Sequence, residues 1–166
     1  MELETKNLPG FKVVGLLYTG KNENQEISAL WGQFNARGEE LCPRDTKVCY
    51  GVCRVPGSTP EFPSATDAAG DFEYLAGIEY EEGRPLPEGT AVREVPECTV
   101  AVFKHLGAAD TLHQTYNNIY NTWLPASAYQ PLEPGFDMEV YTDEFTFFAP
   151  DSVMYIYVPI KPKTNR

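Results

Sequence analysis

A strand is indicated by Phe11-Lys-Val-Val-Gly-Leu-Leu-Tyr18, a run rich in β-forming residues that closes at the turn Thr19-Gly20. The same pattern returns about ninety residues later in Cys98-Thr-Val-Ala-Val-Phe-Lys104, which again closes on a glycine, Gly107. Two similar strands that each precede a turn predict that the chain contains two similar halves.

An amphipathic helix is predicted after each of these strands. Apolar residues recur at the spacing i, i+3, i+4 and i+7, which places them on one side of a helix. In the first half, where the helix starts near residues 22–26 and stops by Gly38, they are Ile27, Leu30, Trp31 and Phe34. In the second half they are Leu112, Tyr116, Ile119, Tyr120 and Trp123.

Two further strands are predicted in each half, at 47–54 and 71–80 in the first and at 136–141 and 153–159 in the second. Each half is therefore a β-α-β-β unit. Two such units can join their sheets with both helices on one face, because this buries the apolar side of each helix.

The predicted architecture is α+β, with two tandem repeats at about 11–80 and about 97–160 in one domain spanning 1–166. We expect an antiparallel sheet, two main helices on one of its faces and a ligand cleft between the halves. The Pro- and Gly-rich segments 55–70 and 81–96 are predicted to be loops, either surface excursions or lids over the cleft.

The strand Phe136-Asp-Met-Glu-Val-Tyr141 places carboxylates in a segment that should be buried. Successive strand residues point to opposite faces, so Asp137, Glu139 and Tyr141 share one face. A wet edge strand would explain the carboxylates without any function. As the middle strand of the second unit, however, this strand should face the cleft, which makes Glu139 a candidate binding group.

Charge and composition exclude several classes of function. The chain has 24 acidic and 13 basic residues and a net charge of -11, so its potential repels phosphate backbones and direct nucleic-acid binding is not expected. The spacing of the four cysteines does not suit a zinc site, and we interpret them as reduced packing residues.

No phosphate-binding loop, dinucleotide fingerprint or metal-ligand cluster appears in the sequence, so no cofactor is expected. The sequence shows neither a signal peptide nor an apolar run long enough to cross a membrane. We therefore expect a cytoplasmic protein that does not engage membranes.

The tandem repeat resembles the GyrI-like family, which also forms the effector-binding domain of bacterial AraC-type and MerR-type transcription activators. The resemblance extends from about residue 11 to 161 and rests on the repeat together with Phe72-Glu-Tyr-Leu-Ala-Gly-Ile-Glu79, Thr122-Trp-Leu-Pro125 and the strand 136–141, whose order is more specific than any one of them alone. Unlike those regulators, the sequence has no DNA-reading segment before Phe11, so we expect a stand-alone module and not a complete transcription factor.

The resemblance implies binding of bulky, lipophilic, often cationic small molecules in an aromatic pocket that contains an acidic residue. Carried over to this sequence, Glu139 is the pocket carboxylate, with Tyr141 beside it and Trp123 at the end of the second helix. Phe72 and Tyr74 match aromatic positions of the family on the third strand.

Two alternative functions stay open at this point. Some stand-alone GyrI-like proteins hydrolyse strained cyclopropanoid compounds, which would make Glu139 a general base and Tyr141 its orienting or proton-donating neighbour. The family name also allows a protein-protein module such as a gyrase inhibitor. A homodimer and a partner regulator are both compatible with the sequence, and the natural ligand is left open.

Overall fold

The computed structural model describes residues 2–54, 72–108, 111–132, 136–145 and 150–164. Within these residues, strands alternate with two helical regions. The strands are β1 (Glu2–Leu8), β2 (Phe11–Gly20), β3 (Cys49–Arg54), β4 (Phe72–Glu79), β5 (Ala91–Val95), β6 (Cys98–Leu106), β7 (Tyr129–Pro131), β8 (Phe136–Tyr141) and β9 (Val153–Pro162). The first helical region is α1 (Glu26–Ala36) with a short 3-10 turn (Gly38–Glu40), and the second is α2 (Leu112–Asn118), a π-helical segment (Ile119–Trp123) and α3 (Leu124–Ala126).

The predicted tandem repeat is confirmed. The first unit is β2-α1-β3-β4 and the second is β6-α2-β8-β9, with the π-helical segment and α3 continuing its helix. The strands form one antiparallel sheet in the order β1-β6-β9-β8-β3-β4-β2-β5, and β7 pairs with β9. The two units meet where β3 pairs with β8, so the α+β fold has its junction at the middle of the sheet.

Two strands outside the repeat, β1 and β5, each continue into a strand of one half but pair with a strand of the other half. β1 runs into β2 through only Pro9 and Gly10 but pairs with β6, while β5 runs into β6 through Pro96 and Glu97 but pairs with β2. Because β1 and β2 lie near opposite ends of the sheet order, such a short link requires those ends to approach each other. The sheet therefore curls into a half-barrel.

The prediction that the segment 81–96 is a loop was wrong in part, because the segment contains a strand. Ala91–Val95 pairs with Phe11–Gly15 along the edge of the first unit. This five-residue strand is stabilised by its long-range pairing with β2. The glycines and prolines around it make the segment resemble a loop in the sequence. The other predicted loop, 55–70, lies outside the described residues.

The sheet has a different core on each face. Inside the curl, residues from strands of both halves form one apolar cluster that includes Val13, Leu75 and Met138. On the opposite face, α1 packs through Leu30, Trp31 and Phe34. The second helical region packs on that same face, as predicted, with Ile119 at the centre of its contact.

Among the described residues, no helix combines the length and apolar composition that crossing a membrane requires.

Candidate ligand-binding site

Glu139 lies at the junction of the two halves, on the face that carries the helices. It sits on β8, opposite Gly51 of β3 on one side and Ile156 of β9 on the other. β8 is thus an interior strand and not a wet edge. Glu139 is only 8% exposed, and Asp137, two residues away on the same face, is 2% exposed.

Three tyrosine hydroxyls converge on the Glu139 carboxylate. Tyr141 and Tyr74 donate to Oε1 at 2.6 and 2.7 Å. Tyr116 donates to Oε2 at 3.1 Å. Among the described residues, these hydrogen-bond partners of Glu139 include no lysine or arginine, so its negative charge is solvated by hydroxyls. The His105 side chain, which is not one of these partners, favours the ionised form of Glu139 through space.

Asp137 forms a second buried carboxylate site, with Tyr120 as its hydroxyl donor. Tyr116 and Tyr120 are four residues apart on a helix, a rise of about 6 Å, and Asp137 and Glu139 are two residues apart on a strand, a rise of about 7 Å. The spacing of the two tyrosines is therefore close to that of the two acids. Tyr116 therefore reaches Glu139 while Tyr120 reaches Asp137. Tyr120 belongs to the π-helical segment, an irregularity often found at functional sites.

Tyr74 is the centre of the network in the first half. Besides donating to Glu139, its hydroxyl accepts the indole N–H of Trp31 at 2.9 Å, so α1 is linked to the carboxylate through Tyr74. The space for this hydroxyl is provided by Gly51, because a Cβ at that position would lie 2.0 Å from it. Gly51 thus permits the close approach between β3 and the Tyr74 side chain.

A cavity of about 290 Å³ opens beside Glu139, between α1 and α2, and is called the inner cavity below. Residues of both halves line it, which agrees with the predicted cleft. Its lining consists of Asn22, Ile27, Ser28, Trp31, Cys53, Phe72, Tyr74, Leu112, Tyr116, Glu139, Tyr141 and Phe145.

Four of the five predicted site residues meet at the inner cavity, namely Glu139, Tyr141, Tyr74 and Phe72. Trp123 does not join them. Its ring packs edge-on against Phe103 at a centroid distance of 4.9 Å and stacks on Tyr129, within the contact between the second helical region and the sheet. The tryptophan that reaches the cavity is Trp31 of α1.

Burial raises the pKa of Glu139 above its usual value, while the hydrogen bonds from Tyr141, Tyr74 and Tyr116 act in the opposite direction. Burial also raises the pKa values of the three tyrosines, and the Glu139 charge adds to this effect. The hydroxyls therefore keep their protons and act as donors throughout the physiological pH range.

The pKa of Asp137 is raised to about 7, mainly by burial, with the neighbouring Glu139 charge as a further cause and the Tyr120 hydrogen bond opposing them. The two acids share one face and lie close together, so ionisation of one disfavours ionisation of the other. Without a bound cation, the site therefore favours a state in which at least one proton is retained.

The remaining polar candidates do not build a metal centre. Within the described part of the chain, no group of three or more His, Cys, Asp or Glu residues is placed to hold a metal ion. The four cysteines are unpaired by disulfides, and Cys53 is buried in the lining of the inner cavity, where burial raises the pKa of its thiol.

Several site residues were not identified from the sequence. Trp31, Tyr116 and Tyr120 were assigned only to the apolar sides of helices, although each also places a polar atom at the junction. Gly51 gave a usable signal, since a glycine within a strand often marks a close approach of another group.

A curled antiparallel sheet with two helices, and a cavity where a buried carboxylate meets aromatic hydroxyls, define a class of small-molecule-binding domain. The chain belongs to the GyrI-like family: its residues 1–161 match the GyrI-like small molecule binding domain.

A curated relative is the transcriptional regulator BrlR of Pseudomonas aeruginosa, which is 34% identical over 154 residues. That match covers 92% of this chain and 53% of BrlR, so the chain spans about half the length of that regulator.

Solved structures share the fold at low sequence identity. SAV2435, solved bound to tetraphenylphosphonium, has a TM-score of 0.72 at 17% identity, with 97% of this chain and 94% of that chain covered. The C-terminal domain of EcmrR has a TM-score of 0.67 at 14% identity, with 98% of this chain and 99% of that domain covered.

Proposed function

We propose that this protein binds lipophilic, cationic, drug-like compounds in the inner cavity, with Glu139 as the anionic group that recognises the positive charge. The observation that carries the proposal is a carboxylate, 8% exposed, that lines a cavity and is held by three hydroxyls without a basic partner among them. The tetraphenylphosphonium bound to SAV2435, a protein of the same fold, supports this ligand class.

The buried carboxylate favours a positively charged ligand. Burial disfavours the ionised form of Glu139, and the hydroxyls offset this only in part. A cation entering the cavity favours the ionised form and is attracted to it in a medium less polar than water. A delocalised cation gains more than a compact ammonium ion, because it loses less hydration when it leaves water.

The aromatic lining supplies the rest of the binding energy. Trp31, Tyr141 and Phe72 line the cavity, and a cation over an aromatic face gains about 0.5 to 2 kcal/mol, depending on desolvation. Apolar contact adds roughly 25 cal/mol per Å² before the losses of association are subtracted. Such walls impose few directional hydrogen bonds, so we expect the protein to accept several ligands of this class.

The test compares a cation with a neutral molecule in the wild type and in one variant. Glu139→Gln keeps the size of the side chain and removes its charge. We expect it to weaken the binding of tetraphenylphosphonium by at least about ten-fold, or about 1.4 kcal/mol, and to leave the binding of the neutral triphenylphosphine oxide nearly unchanged. Equal losses for both ligands would show that Glu139 has no role in recognising charge.

The geometry favours binding over the hydrolase alternative. Glu139 Oε1 already accepts two hydroxyl hydrogen bonds and Oε2 accepts one, which leaves little room on the carboxylate for a water that it would have to activate. The gyrase-inhibitor alternative remains a prediction from the family name. The similarity to BrlR supports a regulatory use of ligand binding, in which the domain reports the presence of the compound to another protein segment.

A further inference from the structure

A second and larger cavity lies next to the inner cavity. Its volume is about 540 Å³, and it is called the outer cavity below. The two cavities share three lining residues, Trp31, Tyr141 and Phe145, which form an aromatic partition between them. Tyr141 packs edge-on against both other rings, with centroid distances of 5.3 Å to Trp31 and 4.7 Å to Phe145.

The same two elements lead from one cavity into the other. Along α1, Ile27 lines the inner cavity, Trp31 lines both, and Asn35 lines the outer cavity. Along β8 and the turn that follows it, Glu139 lines the inner cavity and Asp143 the outer one, again with a shared residue between them. Asn35 lies eight residues after Ile27, which corresponds to a rise of about 12 Å along α1 and sets the length of the combined site.

A drug-sized ligand whose charge pairs with Glu139 has little space in the inner cavity alone and can extend into the outer one. Pockets for such ligands usually measure about 300 to 1,000 Å³. The inner cavity, at about 290 Å³, lies at the lower end of that range, and the outer cavity provides most of the space. The partition consists of side chains, so rotation of the half-buried Phe145 would join the two spaces without any change in the backbone.

The chemistry of the outer cavity differs from that of the inner one. Its charged residues are Lys47 and Asp143, which have opposite signs and are both exposed. Its other polar groups are neutral, as in Thr46, and its walls include the rings of Trp31 and Tyr141. Such a lining suits an uncharged aromatic group that carries a hydrogen-bonding substituent such as an amide.

We propose that the outer cavity binds a neutral aromatic arm of the same ligand whose cationic centre pairs with Glu139, so that the protein selects elongated cations over compact ones. This inference rests on the proposed function. It adds the shape of the ligand: a lipophilic cation joined to a neutral, amide-bearing ring about 10 Å away, in keeping with the length of the α1 segment that lines both cavities.

The experiment uses two phosphonium ions that differ only in the arm. The compact probe is methyltriphenylphosphonium, and the elongated probe carries a benzamide on a butyl linker in place of the methyl group. The wild-type protein should bind the elongated probe at least about ten-fold more tightly, as measured by calorimetry. Thr46→Trp, which fills the outer cavity, should abolish this advantage while the compact probe binds as before.

A matched control is Thr19→Trp, the same substitution at an exposed position that lines neither cavity. It should keep the full advantage of the elongated probe. If Thr46→Trp does not fold, Asn35→Trp fills the same cavity from an exposed position on α1.

The possible failures can be told apart. If the compact probe binds but the elongated probe gains nothing, or if the gain survives Thr46→Trp, cation binding stands and the outer cavity holds no arm of the ligand. If neither probe binds, the proposed function is wrong, and the inference about the arm falls with it.

Discussion

Removal of the Tyr74 hydroxyl would break the contact that joins the two halves of the site. In Tyr74→Phe, Glu139 loses a donor at 2.7 Å, and the buried indole N–H of Trp31 loses its acceptor at 2.9 Å. A hydrogen bond to a charged group contributes about 1.5 to 3 kcal/mol, and an unpaired buried N–H costs about 1 to 3 kcal/mol. Tyr74 is 1% exposed, so water cannot replace the missing group without rearrangement.

Together these two effects predict a loss in the free energy of unfolding of about 2.5 to 6 kcal/mol. For a chain of this size, this corresponds to a fall in Tm of roughly 5 to 20 °C, which differential scanning calorimetry resolves easily. The matched control is Tyr155→Phe, which removes a hydroxyl that donates to Glu144 at the surface and should lower the free energy of unfolding by at most about 0.5 kcal/mol. If the two substitutions lowered the free energy of unfolding by similar amounts, the hydrogen bonds of the Tyr74 hydroxyl would not be what stabilises the junction.

Three further predictions concern other parts of the site. Gly51→Ala should lower the free energy of unfolding by about 1 to 3 kcal/mol, because the new Cβ would lie 2.0 Å from the Tyr74 hydroxyl; urea unfolding checks this. Asp137 has a folded pKa of about 7 against an ordinary value of 3.8, so its contribution to stability is full below pH 4 and is lost as the pH rises to 7. Between pH 4 and pH 7 the free energy of unfolding of the wild type should fall by on the order of 4 kcal/mol relative to that of Asp137→Asn. Urea unfolding of both proteins across this pH range checks this, and parallel pH dependences would contradict it. Trp31→Phe should weaken tetraphenylphosphonium binding measured by calorimetry, whereas Trp123→Phe should leave the affinity unchanged; the reverse result would place the ligand at Trp123.

The repeat and the two-faced strand 136–141 could be predicted because they rest on local patterns. A period of two assigns Glu139 and Tyr141 to one face wherever the strand lies, and two copies of one pattern predict two similar halves. The exchange of β1 and β5 between the halves could not be predicted in this way. Pairing partners that are distant in sequence leave no local periodicity, and a five-residue strand among prolines and glycines resembles a loop.

The choice between the two tryptophans shows a second limit of sequence reasoning. Trp31 and Trp123 both lie on the apolar side of a helix, and periodicity predicts burial for both of them. Which of them borders the cavity depends on the position of each helix over the sheet. For the same reason, the pairing of Tyr116 with Glu139 and of Tyr120 with Asp137 appears only once the second helical region is placed across β8.

If Glu139 makes the cavity selective for positive charge, two ions of nearly the same shape but opposite charge should bind with different affinities. Tetraphenylphosphonium and tetraphenylborate differ mainly in the sign of their charge, and calorimetry at 0.15 M salt screens the net surface charge of -11. The wild type should prefer the phosphonium by at least about ten-fold, and Glu139→Gln should remove most of this preference. Equal affinities of the wild type for the two ions, or a preference that Glu139→Gln leaves intact, would show that Glu139 does not select for positive charge.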